Sequence, residues 1–173
     1  MSRNSGLAFE RELLASASSC EHLVLVKIPV GYSPLKRFAG GGYADMVGNL
    51  HGIAIAIEAK SCRGGRFSLG RITDKQLDFL LKWQQAGGYA FVLLRYGYRN
   101  VRLVVIDVRQ LLAWKAKGKK GISERDIQYL PCIPRRGARW CMEALYSIIQ
   151  EDVDGHKRFE RQDSQAGVTG EAR

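Results

Sequence analysis

Two acidic residues and a lysine stand nearest to a recognisable chemistry. Glu58-Ala59-Lys60 closes a run of isoleucine and alanine that begins at Ile53. Side chains two apart on a strand share a face, so Glu58 and Lys60 point one way and Ala59 the other. Asp45 lies earlier, on what reads as the preceding strand of a tight hairpin, and pairing would bring that strand alongside at about 4.8 Å. Two carboxylates and an ammonium then converge at one sheet edge. A hard divalent cation, Mg²⁺ or Mn²⁺, takes oxygen ligands, and Mg²⁺ keeps several waters, so one or two carboxylates suffice. Such an ion polarises a phosphoryl oxygen and lowers the pKa of bound water. A lysine beside it orients that water or offsets charge building on the phosphate. The sum is phosphodiester hydrolysis. Spacing alone also fits a Glu and a Lys that simply leave the core at a strand end, and each residue taken singly has that simpler reading.

The elements that must position these residues follow from hydrophobic pattern and punctuation. A helix is predicted from about Ser5 to Ser19, with Leu7, Phe9, Leu13 and Leu14 apolar and Glu10 among the polar residues between them. His22 to Ile28 reads as a strand, Pro29 to Gly42 as a loop. Tyr43–Val47 and Gly52–Lys60 read as a hairpin turned over Gly48 to Gly52, and Ser61 to Gly70 as a Gly- and Arg-rich loop. Thr73-Asp74-Lys75-Gln76 has the form of a capping box, a threonine cap with a glutamine three residues on, opening a helix that Gly87-Gly88 ends. Tyr89–Arg95 and Val101–Val108 read as strands. Arg109–Lys117, Ser123–Tyr129 and Ala138–Ile149 read as helices. That order predicts a single α/β domain with a mixed sheet of about five strands flanked by helices.

The chain has 173 residues, 27 of them basic and 17 acidic, for a net charge of +10. Residues 151–173 carry six acidic and four basic side chains, leaving +12 on the first 150 residues. This division suggests a domain over 1–150 followed by a polar, disordered tail over 151–173. A basic body points to a polyanionic partner. No apolar stretch is long enough for a membrane span or a signal peptide, so a cytosolic, non-membrane protein is expected. Cys20, Cys62, Cys132 and Cys141 include no Cys-x-x-Cys pair and accompany only three histidines. They read as free thiols of a reducing compartment rather than zinc ligands.

Taken together and in order, several segments carry a resemblance. They are Asn4-Ser5-Gly6-Leu7-Ala8-Phe9-Glu10, Ala44-Asp45-Met46-Val47-Gly48 and Ile55-Ala56-Ile57-Glu58-Ala59-Lys60. Arg66-Phe67-Ser68-Leu69, the helix with Gln76 in its first turn, and Gly87-Gly88-Tyr89-Ala90-Phe91-Val92 follow. From Asn4 to Val108 the chain resembles the RecU-type Holliday junction resolvases, phage versions included, and more distantly the archaeal Hjc resolvases. Both belong to the PD-(D/E)xK nuclease superfamily, which has the restriction-endonuclease-like fold. The resemblance implies metal-binding roles for Asp45 and Glu58, with the Ala59 carbonyl as a further ligand, and a catalytic role for Lys60. It assigns Glu10 to completing the site and aims Gln76 at it. It also implies a homodimer that nicks a four-way junction symmetrically. Two departures stand out: Ala44 occupies the place of the superfamily's proline, and Pro29–Gly42 is shorter than the protrusion RecU proteins carry there.

Arg63, Arg66, Arg71 and Lys75 follow the Glu-x-Lys strand closely, and Lys36 and Arg37 precede the hairpin. They are the candidate phosphate contacts. Tyr32 and Phe38, interleaved with that charge, are candidates for stacking on exposed bases. The alternatives carried from the sequence are a PD-(D/E)xK nuclease acting on linear or damaged DNA, a non-catalytic DNA-binding module, and an RNA-binding scaffold that has only the charge in its favour.

Overall fold

A computed structural model describes residues 3–29 and 43–152. The loop residues Tyr32, Lys36, Arg37 and Phe38, and the tail beyond residue 152, lie outside the described residues. The chain runs α1 (Arg3–Ala17), β1 (Leu23–Lys27), β2 (Met46–Leu50), β3 (Ile53–Cys62), β4 (Phe67–Ser68), a 3₁₀ turn (Leu69–Arg71) and α2 (Asp74–Gln85). It continues through β5 (Tyr89–Tyr96), β6 (Arg102–Asp107), α3 (Val108–Ala116), β7 (Gly121–Ile122), α4 (Glu124–Ile127), β8 (Cys132–Ile133), β9 (Arg135–Arg136) and β10 (Arg139–Trp140). Residues 144–152 then form α5.

One six-stranded sheet, ordered β1-β2-β3-β5-β6-β8, organises the molecule. All its neighbours are antiparallel except β3 and β5, which run parallel. Parallel neighbours need a crossover, and α2 supplies it. The central strands are covered on both faces, which is why Ala90-Phe91-Val92-Leu93-Leu94 is apolar without alternation. On one face Ala56, Val92, Leu94 and Ile106 pack with Leu77 and Leu80 of α2 and Leu111 of α3. On the other, Ile55, Ile57, Phe91, Leu93 and Val105 pack with Phe9 and Leu13 of α1 and Leu145 and Ile149 of α5.

The hairpin differs from the sequence expectation in its register. The turn is not Gly48–Gly52: β2 runs through Leu50, and His51 and Gly52 alone reverse the chain at φ 50° and 84°. Two positive-φ residues in a two-residue loop match the right-handed strand twist. Gly48 is therefore not a turn glycine. A Cβ built on it would stand 2.0 Å from the Val24 carbonyl oxygen and 3.1 Å from Leu25 Cα on β1. Gly48→Ala is expected to force β1 off β2 and cost about 2–3 kcal/mol or more, read as a lowered melting temperature.

Three further expectations are corrected. Ser61–Gly70 is not all loop, because β3 continues to Cys62 and β4 pairs with β7. The helix predicted over Ser123–Tyr129 contracts to α4. Ala138–Ile149 is not one helix either: Arg139 and Trp140 pair with Arg136 and Arg135 about a turn whose Gly137 has φ 58°, and helix begins only at residue 144. Ser16 fixes this corner, donating to the Glu12 carbonyl at 2.8 Å and accepting from the Trp140 amide at 3.1 Å.

Candidate active site

The site sits where two strands part. β2 pairs with β3 only from Ile53 to Ile57, whereas β5 pairs with β3 from Ile55 to Cys62. The last backbone bond on the β2 side runs from the Asp45 amide to the Ile57 carbonyl, at 3.2 Å. Beyond it the chain of residue 45 leaves β3. The Ala59 amide, left without a strand partner there, donates to Asp45 Oδ2 at 2.8 Å. This bond holds the Asp45 carboxylate against the strand that bears Glu58 and Lys60.

Glu58 is 0% exposed. Its Oε1 accepts from the Gln76 amide at 2.6 Å and from the Lys60 ammonium. Its Oε2 is buried and has no hydrogen-bond partner among the described residues. Burial first, then the Asp45 charge, pushes the Glu58 carboxyl up to about 8, with Lys60 pulling the other way. Burial likewise raises Asp45, opposed by the Ala59 amide and reinforced by the Glu10 carboxylate. Two carboxyl groups are held side by side out of solvent, against the ionisation of Glu58, and paired ionisable groups displaced in this way mark functional sites.

Gln76 serves two purposes with the two ends of one amide. Its oxygen accepts from the Thr73 backbone amide at 3.0 Å, and the Thr73 hydroxyl accepts from the Gln76 backbone amide at 3.3 Å, closing the expected capping box. Its nitrogen reaches Glu58. Gln76→Ala is expected to cost about 1 kcal/mol of stability and to lower strand cleavage roughly tenfold through the lost bond to a charged group. Thr73→Ala should match the stability loss and leave the single-turnover rate unchanged.

Glu10, on α1, reaches the same region from the other side of the sheet. Its carboxylate pairs with Lys27 of β1 at 2.7 Å and lies within electrostatic reach of Asp45. Arg63 and Arg66 are exposed beyond the end of β3, and Lys75 is exposed on the first turn of α2. Arg71 is more constrained: it donates to the Ser61 carbonyl at 2.8 Å and its guanidinium lies 5.2 Å from the centre of the Phe67 ring.

The donor set suits a hard divalent cation. Asp45 and Glu58 offer carboxylate oxygens, one of them buried and unpartnered among the described residues, and such hard oxygen donors are what these cations take. Among the described residues no group of three or more His, Cys, Asp or Glu side chains forms an all-protein cage. A cation held by two carboxylates and completed by water needs none.

A mixed α/β sheet carrying an aspartate and a Glu-x-Lys on two strands at their point of divergence defines the PD-(D/E)xK class of nuclease folds. Within it, the model of the Recombination protein U (RecU) family matches residues 37–133. That is more than half of the chain and includes Asp45, Glu58, Lys60 and Gln76. The chain belongs to the RecU family. Among solved structures it is similar in fold to Hjc, a Holliday junction resolvase of the archaeal hyperthermophile Archaeoglobus fulgidus. The two share 19% identity over 72% of this chain and 93% of that one, with a TM-score of 0.51. No curated protein matches the chain.

The sequence missed an ionic group on the opposite face of β3. Glu12 of α1 pairs with Arg95 of β5 at 2.9 Å and with Arg135 of β9 at 3.5 Å. Arg95 also lies 4.7 Å from the centre of the Phe9 ring, and Arg135 lies 5.1 Å from that of Trp140. The one available signal was an arginine interrupting the apolar run of β5.

Proposed function

We propose that the chain is a structure-selective DNA endonuclease that resolves Holliday (four-way) junctions by symmetric nicking, using Mg²⁺ or Mn²⁺. The supporting observation is the buried Asp45–Glu58 pair with Lys60 beside it, at a fork in the sheet of a RecU-family chain. A non-catalytic DNA binder has no use for two carboxyl groups that burial holds above their ordinary pKa.

Asp45 and Glu58 hold the cation, with the Ala59 carbonyl as a further donor. The bound ion supplies Lewis acidity toward the phosphoryl oxygen and acidity to a coordinated water. Lys60 places its ammonium where the attacking water and the scissile phosphate meet. It orients the first and offsets charge developing on the second. Gln76 keeps the Glu58 carboxylate in its rotamer, and Glu10 completes the acidic set. Arg63, Arg66, Arg71 and Lys75, together with Lys36 and Arg37, hold the flanking phosphates and fix the register of the strand.

Symmetric nicking requires two such sites, so the working form is a homodimer on branched DNA. The partner is nucleic acid; among the described residues no helix is long and apolar enough to cross a membrane. Four free cysteines accord with work in the cytosol of a bacterium, the chain being of cellular or phage origin.

The test is cleavage of a labelled four-way junction and of a linear duplex with the same arm sequences, each with Mg²⁺, with EDTA and with Glu58→Ala. Paired nicks on the junction alone, lost with EDTA and with the substitution, are expected. Equal cutting of both substrates would retain the hydrolytic site and reject junction selectivity. Binding without cleavage under any divalent metal would reject the enzyme.

A further inference from the structure

Pleating puts Ser61 on the face opposite Lys60, about 3.3 Å further along β3. It lines a cavity of about 270 Å³ together with Arg63, Arg95, Arg135, Glu12 and Tyr98. Ser61 and Arg95 are register partners on the parallel strands β3 and β5, so their side chains lie side by side. The Ser61 hydroxyl oxygen is buried and has no hydrogen-bond partner among the described residues. A buried hydroxyl left without a bond is costly unless a ligand or water completes it. Three guanidinium groups against one carboxylate leave the cavity with a surplus of two positive charges. Arginine suits phosphate because its donors form a planar fork. Tyr98 stands 74% exposed at the rim.

From this we infer that the cavity is a phosphodiester subsite. Arg63, Arg95, Arg135 and the Ser61 hydroxyl bind one phosphate of the DNA strand flanking the cut, and Tyr98 stacks on the adjoining base. The inference rests on the nuclease reading for what it calls the cut. Beyond Ile57, β3 has no β2 neighbour among the described residues, so the hydrolytic site and this cavity lie on the two faces of β3 along that edge. A strand crossing that edge meets both. Glu12 competes with the phosphate for Arg95 and Arg135, pairing with both guanidinium groups when no DNA is bound.

The experiment is equilibrium binding of the full chain to the four-way junction and to the linear duplex, in EDTA, at about 50–200 mM salt, the range over which phosphate contacts are resolved. Arg63→Gln/Arg135→Gln leaves Arg95 neutralised by Glu12. It is expected to weaken binding about tenfold or more and to flatten the log–log salt slope by about 0.9 for each pocket engaged on duplex. Ser61→Ala should weaken binding severalfold with no change of slope. Glu12→Gln should tighten binding, a direction that a merely damaged fold does not produce. Unchanged affinity and slope in the double variant, or weaker binding with Glu12→Gln, would overturn the subsite. Cleavage by the same proteins separates the two ideas. A wild-type chain that cuts while the pocket variants bind normally rejects the subsite alone. A chain that never cuts but shows these slopes keeps a phosphate pocket and rejects the nuclease. Absence of binding to either DNA overturns both.

Discussion

Glu58→Gln is expected to abolish strand cleavage and, in the metal-free protein, to raise stability by an amount that grows with pH. In the unfolded chain Glu58 titrates near the ordinary 4.5, whereas in the fold it is pushed up to about 8. The fold therefore prefers the protonated acid. Its contribution is fully present below the unfolded value and is lost as pH rises through the folded one, over a window of about pH 4.5 to 8. A shift of this size corresponds to a few kcal/mol, on the order of 1.4 kcal/mol per unit. Glutamine keeps the shape and an acceptor for Lys60 and Gln76 but carries no charge to desolvate. Thermal melts in EDTA should nearly coincide for the two proteins at the acid end of the window and separate above it. The variant should melt higher by roughly 2–4 °C for each kcal/mol. Divalent metal should raise the wild-type melting temperature, because the ion binds only the folded carboxylate pair, and should do little for the variant. A wild-type melting temperature no lower than the variant's at about pH 9 in EDTA would remove the case for a strained acidic pair.

The same strain explains which parts of the site are legible in the sequence. Asp45, Glu58 and Lys60 interrupt apolar strands, and a charge in such a run is either at a surface or at a site. Thr73 and Gln76 are legible because a capping box is local, and the structure adds only that the amide's other end faces Glu58. The parallel pair β3 and β5 follows from two runs without polar alternation, separated by a helix. The hairpin register was not legible, because Gly48-Asn49 has the composition of a turn. What selects glycine at 48 is the approach of the Val24 carbonyl from β1, a contact no local pattern encodes. Arg135 and Arg136 stand just before, and Arg139 within, the helix predicted over Ala138–Ile149. Their short pairing depends on the turn at Gly137 and on Trp140 tying to Ser16 of α1. The Glu12–Arg95 pair joins residues 83 apart in the chain, on a helix and a strand that each look complete without it.

Lys60→Met is the second large effect expected, a fall in single-turnover cleavage of about 10²–10⁴ with junction affinity nearly unchanged. Methionine keeps an unbranched apolar stem close to that of lysine, so the part-buried stem of residue 60 is still filled. What goes is the ammonium that Glu58 Oε1 holds in the metal-free protein. That cation lowers the pKa of both Glu58 and Asp45. Its removal raises both further, and the pH needed to charge the pair for metal binding moves to the alkaline side. The variant should therefore show two separable defects. One is a lower rate at saturating metal and high pH, from the lost positioning of water and phosphate. The other is an alkaline displacement of the pH at which metal raises the melting temperature. Lys60→Arg should correct the second and not the first, since guanidinium restores the charge but is broader, planar and fixed in its protonation. Cleavage by Lys60→Met within tenfold of wild type, or rescue of the rate by arginine, would mean that position 60 supplies only charge to the acidic pair and that the attacking water is oriented elsewhere.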